Sequence, residues 1–521
     1  MSAGVEPLDP PRPAWELSER TRASLLLLGE AGALGVLGNA LFAGTALGLN
    51  AVIWTAALLC AAGVLAGRTE TELEGEGRWM AFPALLFAAA LAWRASPTLA
   101  ALNLLALLVA LMVGAWRARG GELGDSALGR WILGVGATGF HAMVGLVVVL
   151  AARVEWRSLM PAGRSGRVLA VARGALLAAP LLLVFNALFA SADPVFAKAV
   201  SSLFRWDGGA AAATGFRVLF WSWVAAGTLW AALQAPQDEL NTDAFPRPTL
   251  GATEVATVLA LLDGLFLAFV AVQFRYLFGG QAWVSRSLET GWGEYARRGF
   301  FELVWVAALA LPMLLALHAL LREKGGRGER VFRVLAGVLV ALLFVVMVSA
   351  AQRMRLYQAA YGLTELRLYT TAFMGWLGMV LAWFAATVLR GRPGRFPRGA
   401  VMSGFAVVAA LNVLNPDALI ARTNLHRAER TGKLDAVYLS RLSADAAPAV
   451  AGGLRRLELA PLDACLLREG LRDELRTRRD WRGWNRSRSR AAAIARRTPK
   501  SAPVEGCREQ RAMEEAVDVF T

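Results

Sequence analysis

The chain has 521 residues, 56% of them hydrophobic and only 18% charged, with a formal net charge of +15. That balance excludes an ordinary soluble globular domain. It also directs the excess of Arg away from nucleic acid, because the basic residues gather in short segments between apolar runs and in the C-terminal tail, as membrane topology and anionic headgroups require.

Residues 1–24 are a polar segment with Pro and acidic side chains and no small-residue cleavage site, so they do not read as a cleaved secretory signal. Apolar runs follow at about 25–47, 49–66, 80–94, 98–116, 131–151, 168–190, 216–233, 254–278, 299–321, 331–351, 368–389 and 400–414. Each approaches the ~20 residues a helix needs to cross the hydrocarbon. Uninterrupted Leu, Ala, Val and Phe without period-2 alternation means helices, not a barrel. The predicted fold is an all-α integral membrane protein, with about 12 transmembrane helices (10–13) in residues 25–414 and a small C-terminal helical region. The third and twelfth runs are short enough to be re-entrant or tilted. Gly29, Gly32, Gly35 and Gly38 give the first run a small-residue face that another helix can approach closely. Glu70, Glu72, Glu74 and Glu76 read as a solvated loop.

After Leu414 the composition becomes mixed, and residues 415–480 read as short amphipathic helices. Asn415-Pro416-Asp417 is a helix start, with Asn as cap, Pro at the first turn and Asp facing the positive helix end. Gly432 stops that helix, Lys433 to Ser443 supplies a second, Asp445 with Pro448 opens a third, and Pro461 to Arg479 forms a fourth. Residues 481–521 read as a basic, mobile tail whose Trp481 and Trp484 are expected at the headgroup level of an anionic membrane surface. Of the three cysteines, Cys60 lies in a span and Cys465 and Cys507 lie far apart in the tail. Without a CxxC pattern, neither a disulfide framework nor a zinc site is expected.

All six tyrosines lie after residue 275. By the order of spans they share one side of the membrane, while Arg322 to Arg327 and Arg390 to Arg395 form short basic connectors on the other. The expectation is that the Tyr side lies outside the cytoplasm. On it, Arg275, Tyr276, Tyr295, Arg297, Arg298, Arg353, Arg355, Tyr357, Tyr361, Arg367 and Tyr369 are the candidate anion- or lipid-binding residues. Arg offers a planar fork for phosphate or carboxylate, and Tyr stacks or hydrogen-bonds beside it. The competing account is an internal ion-pair network, since Glu294 and Glu302 each sit four residues from Arg298.

The segments around these residues, together with Asn415-Pro416-Asp417, Ile420-Ala421, Asn424, Arg427, Gly432, Asp435, Tyr438-Leu439 and Leu442-Ser443-Ala444-Asp445, resemble an uncharacterised family of bacterial multi-pass membrane proteins, domain of unknown function 4173, over roughly residues 170–450. The resemblance implies a membrane location and brings no activity, ligand or catalytic residue with it.

Asp263 is the candidate intramembrane polar site, placed mid-span with no local partner; a carboxylate at that depth costs ~3 kcal/mol and faces a partner helix, a cavity or an ion path. His141 and His318 stand alone, without metal-ligand spacing. No HExxH, GxSxG, Walker or Rossmann pattern stands in the context it needs, so no catalytic residue, metal or cofactor is assigned. The first functional reading is a non-enzymatic envelope scaffold, sensor or accessory subunit of the bacterial inner membrane, with membrane lipids or another membrane or envelope protein as partners and no nucleic acid. Two readings stand beside it: a transporter or flippase using Asp263, and a membrane transferase acting on a lipid-linked anionic substrate at the Tyr/Arg face.

Overall fold

The computed structural model describes residues 18–71, 75–120, 128–155, 209–235, 249–278, 300–322, 326–473 and 480–499, with Leu475, Cys507 and isolated positions between 171 and 199. The predicted sixth run lies largely outside the described residues. Helix α1 spans Glu19–Phe42, α2 Leu49–Arg68, α3 Ala81–Trp93, α4 Pro97–Ala118, α5 Leu128–Val148, α6 Gly209–Leu233, α7 Ala252–Phe278, α8 Phe300–Leu320, α9 Arg327–Tyr361, α10 Glu365–Thr387 and α11 Phe396–Leu414. Among the described residues, ten helices, all of these except α3, contain a stretch long and apolar enough to cross a membrane. The protein is an all-α, multi-pass membrane protein.

Two packed groups make up the bundle. Leu27, Leu34, Trp54, Leu58, Leu146 and Leu229 bring α1, α2, α5 and α6 together, while Leu259, Leu314, Leu339, Leu381, Phe384 and Phe396 unite α7 to α11. Between them α3 and α4 meet α11, with Phe87 against Phe405 at 5.4 Å. In lipid such contacts are held by close packing more than by the hydrophobic effect, which favours small residues. A Cβ on Gly38 would fall 2.4 Å from the Trp221 ring, and one on Gly227 would fall 1.7 Å from the carbonyl oxygen of Ala142. Gly29 and Gly32 meet nothing within 4 Å, so only half of the predicted small-residue face is used.

Several boundaries differ from the sequence reading. The third run is a helix of 13 residues, about 20 Å long at 1.5 Å per residue. The twelfth is not short, because α11 starts at Phe396, with Pro397 in its first turn, where a missing N–H costs nothing. The tenth run continues unbroken for 35 residues to Tyr361. Arg353, Arg355, Tyr357 and Tyr361 therefore ride on a helix and not in a loop, and Gly362, at φ +81°, ends it.

The C-terminal region adds α12 (Pro416–Thr431), α13 (Ala436–Arg441), α14 (Ala447–Arg456), α15 (Pro461–Asp473) and α16 (Arg486–Arg497). As expected, Asn415 caps α12 and Gly432, at φ +67°, stops it. Two expectations are corrected. Cys465 and Cys507 form a disulfide, because the tail folds back on α15, an approach that chain separation hides. The basic segment after residue 480 holds α16, whose Ala491, Ala492 and Ala495 are fully buried; its alanines supply a packing face that its arginines obscure in the sequence.

Candidate functional site

Helix ends carry backbone groups with no partner inside the helix, and at the edge of a membrane each must be closed by something else. On the side that holds the α1–α2 turn, the C-terminal region closes a set of them. The Arg482 and Trp484 carbonyls accept the N–H groups of Asn50 at 2.7 Å and Leu49 at 3.0 Å, at the start of α2. Arg482 donates to the Ala40 carbonyl near the end of α1. Asn485 donates to the carbonyls of Leu91 and Arg94 at 2.9 and 2.7 Å, and Ser487 to that of Trp93 at 3.0 Å, closing α3. Gly48 and Gly483 allow the approach, since a Cβ on Gly48 would stand 2.4 Å from the Trp484 carbonyl oxygen.

Beneath this closure lies a buried acidic cluster. Asp445, 3% exposed, accepts the backbone N–H groups of Ala95 at 2.7 Å and Ser96 at 2.9 Å, which precede α4. The Ser487 hydroxyl also lies against it, its single proton shared between Asp445 and the Trp93 carbonyl, and Asp445 pairs with Arg94 at 3.6 Å. Burial lowers the Arg94 guanidinium below its usual range and the Asp445 charge pulls it back. Arg94 spends its Nε–H on the Asn412 carbonyl at 2.6 Å. Asp417, fully buried, accepts both the N–H and the hydroxyl of Ser443. Glu365 lies beside it, and the second carboxyl oxygen of Asp417, Oδ1, has no hydrogen-bond partner among the described residues. Burial raises Asp417 above the ordinary carboxylate range, against the lowering effect of the Ser443 hydrogen bonds.

The Tyr/Arg face meets the same cluster. Arg367 lies over Tyr357 at 4.0 Å and nearer its edge over Tyr361 at 5.9 Å, and it donates to the Gly362 carbonyl at 2.6 Å. Asn424 holds both the N–H and the carbonyl of Leu363 at 2.8 Å, and Arg427 donates to the Ala360 carbonyl. The Tyr438 hydroxyl accepts the Glu365 N–H at 2.8 Å; burial pushes this phenol up to about 12. Tyr369 turns inward, its hydroxyl 3.5 Å from that of Ser96. The structure thus gathers Tyr357, Tyr361, Arg367, Tyr369 and Tyr438 at one end, while Arg355 and Tyr361 are exposed. Arg353 sits one turn before Tyr357. The side chains of Arg275 and Tyr276, and Tyr295, Arg297 and Arg298 entirely, lie outside the described residues.

Asp263, in the middle of α7, is 8% exposed. Neither of its carboxyl oxygens has a hydrogen-bond partner among the described residues. Further along the bundle, Asn103 and Asn412, 0% and 3% exposed, exchange side-chain hydrogen bonds at 3.1 and 2.7 Å. Arg94, Ser96, Asn103, Asn412, Asn485 and Ser487 did not stand out in the sequence. The available signal was an amide inside an apolar run, as at Asn103 and Asn412, and a residue with capping chemistry where a helix begins, as at Asn485.

A family model described as Domain of unknown function (DUF4153) matches residues 81–452. It runs from α3 into the middle of α14, including the acidic cluster, and excludes α1, α2, α15 and α16. Its number differs from that of the family the sequence resembles; both denote domains of unknown function. No curated protein and no solved structure matches the chain.

Proposed function

We propose that this chain, which belongs to the DUF4153 family, is a non-enzymatic scaffold of the bacterial inner membrane, in which a helical bundle carries a rigidly docked C-terminal cap on the Tyr side, outside the cytoplasm. The observation that carries the reading is the use of Asp445, Asn485, Ser487 and the Arg482 and Trp484 carbonyls to close the ends of α2, α3 and α4. Chemistry that needs a mobile lid is poorly served by such a joint; presentation of a fixed surface is well served. Sidedness is supported twice. The opposite connectors contain exposed Arg390, Arg392 and Arg395, and the cap holds the Cys465–Cys507 disulfide, which persists in oxidising compartments. Exposed Arg355, Leu356, Tyr361 and Leu366 form the part of the Tyr/Arg face left to meet lipid or an envelope protein.

A second reading, ion-coupled transport, is favoured by Asp263, whose buried carboxyl has no described partner. Three variants compared in cells discriminate the readings. Asp445→Ala loosens the cap, Asp263→Asn removes the intramembrane charge, and Arg367→Gln alters the Tyr/Arg face. The scaffold reading expects the cellular phenotype to fail in Asp445→Ala and to survive Asp263→Asn at normal membrane abundance. Loss in Asp263→Asn alone supports transport, and a changed lipid product on Arg367→Gln alone supports a transferase.

A further inference from the structure

Helix α3 is too short to cross the hydrocarbon core of ~30 Å, and beside its N-terminal end the bundle leaves a cleft of about 330 Å³. Its mouth is formed where several helices end or begin. Arg117 lies in the last turn of α4, Arg398 in the first turn of α11, Trp131 in the first turn of α5, and Trp79 just before α3. Its apolar side is formed by buried Val113 and by Met402, 38% exposed, each about one helical turn from the mouth arginine of its helix. Trp79 is 76% exposed and Arg398 is exposed, so the mouth opens outward at the level where helices leave the membrane.

This is the layout that an amphiphile with an anionic head requires. Guanidinium groups bind phosphate oxygens through a planar fork. Indole rings favour the headgroup level, and thioether and branched side chains accept an acyl chain below it. The size falls in the range of ordinary ligand sites. The cleft is remote from the acidic cluster: it takes up the opposite end of α4, whose first turn is closed by Asp445. By the sidedness proposed above it faces the cytoplasmic leaflet, which is rich in anionic lipid, but the cleft's chemistry does not depend on that assignment.

We propose that this cleft is a binding site for an anionic phospholipid, with the phosphate held by exposed Arg398 at the mouth, where buried Arg117 adds positive charge, and the acyl chain along Val113 and Met402. Charge complementarity selects the head, and the apolar wall selects a lipid over a free anion.

The test is native mass spectrometry on the purified full-length chain, titrated with phosphatidylglycerol, phosphatidylcholine or inorganic phosphate. One phosphatidylglycerol should bind more tightly than the rest and resist competition by phosphatidylcholine. Arg398→Gln, an exposed change, should weaken that site by about tenfold, the scale of one charge-assisted hydrogen bond. Met402→Trp, which fills the wall and leaves both arginines, should weaken it too. The proposal is overturned if phosphatidylcholine binds equally well, if inorganic phosphate displaces the lipid, or if both variants leave the tight site unchanged.

Discussion

The carboxylate of Asp445 accepts the backbone N–H of Ser96 at 2.9 Å across 349 residues of chain. A residue of the C-terminal region is thereby the cap of a transmembrane helix, and the two parts of the molecule share one polar joint. Removing the side chain leaves Arg94 buried and unpaired as well as opening the cap. Asp445→Ala should therefore destabilise the protein by about 3 kcal/mol or more, against about 1 kcal/mol for loss of an exposed cap. Thermal unfolding in detergent, followed with the Arg94→Ala and double variants, measures the coupling. Additive losses would show that the pair does not act as a unit.

The pH response follows from Asp417. Its folded pKa lies above the 3.8 of the free side chain, so the folded state holds more protons across that interval, and stability falls as pH rises through it. The full contribution is present below 3.8. Ser443, Glu365 and Asp445 are the groups that face this carboxyl. Asp417→Asn keeps an acceptor for Ser443 and removes its own titration, leaving that of Glu365, which burial beside Asp417 pushes up to about 7. Its melting temperature should vary less than wild type between pH 4 and 8; an unchanged slope would assign the dependence to another group.

Between α4 and the last turn of α11, Asn103 and Asn412 satisfy one another. Intramembrane side-chain hydrogen bonds average about 0.6 kcal/mol and reach about 1.7. Asn412→Leu orphans Asn103 and should cost about 1–2 kcal/mol, and Asn103→Leu in the same chain should recover part of it. Greater loss in the double variant than in the single one would mean that the pair is not the unit.

These contacts mark where the sequence stopped being legible. The spans were readable because lipid demands apolar runs of fixed length. The start at Asn415 and the stop at Gly432 are readable because capping is local, whereas the second short helix starts at Asp435 and not at Lys433. Asp445 was readable as the opener of a helix, but not as the cap of α4, since its partner lies in another part of the chain. The same distance hid the Cys465–Cys507 bond and the docking of Asn485 and Ser487 on α3. Arg367 and Tyr357 are both candidates from sequence, yet spacing does not show that they stack on one another or that the guanidinium holds the turn at Gly362.

Sidedness can be read with single cysteines in a Cys60→Ala background. Gly362 is unsuitable, since a Cβ there would stand 2.7 Å from Asn424 Oδ1 at φ +81°. Tyr361, 57% exposed, and Gly326, with nothing within 4 Å, are suitable. A membrane-impermeant maleimide should label Tyr361→Cys in intact cells and Gly326→Cys only after permeabilisation. The reverse pattern would place the cap in the cytoplasm.

Asp263 should tolerate Asn better than Leu if its carboxyl serves as a packed, hydrogen-bonding strut, because Asn keeps the size and an acceptor. Membrane abundance and cellular phenotype are the readouts. An Asp263→Asn chain that inserts normally and loses its phenotype would favour ion coupling over the strut.

Hydrogen exchange of the full-length chain in lipid nanodiscs tests the docked cap most directly, at the Leu49, Asn50, Ala95 and Ser96 amides. Their acceptors are Trp484, Arg482 and Asp445. All four should be strongly protected, and deletion of residues 480–499 should release Leu49 and Asn50 while α2 remains folded. Rapid exchange of these amides in the intact chain, or protection of Leu49 and Asn50 that survives the deletion, would contradict the docking of the C-terminal region on the bundle.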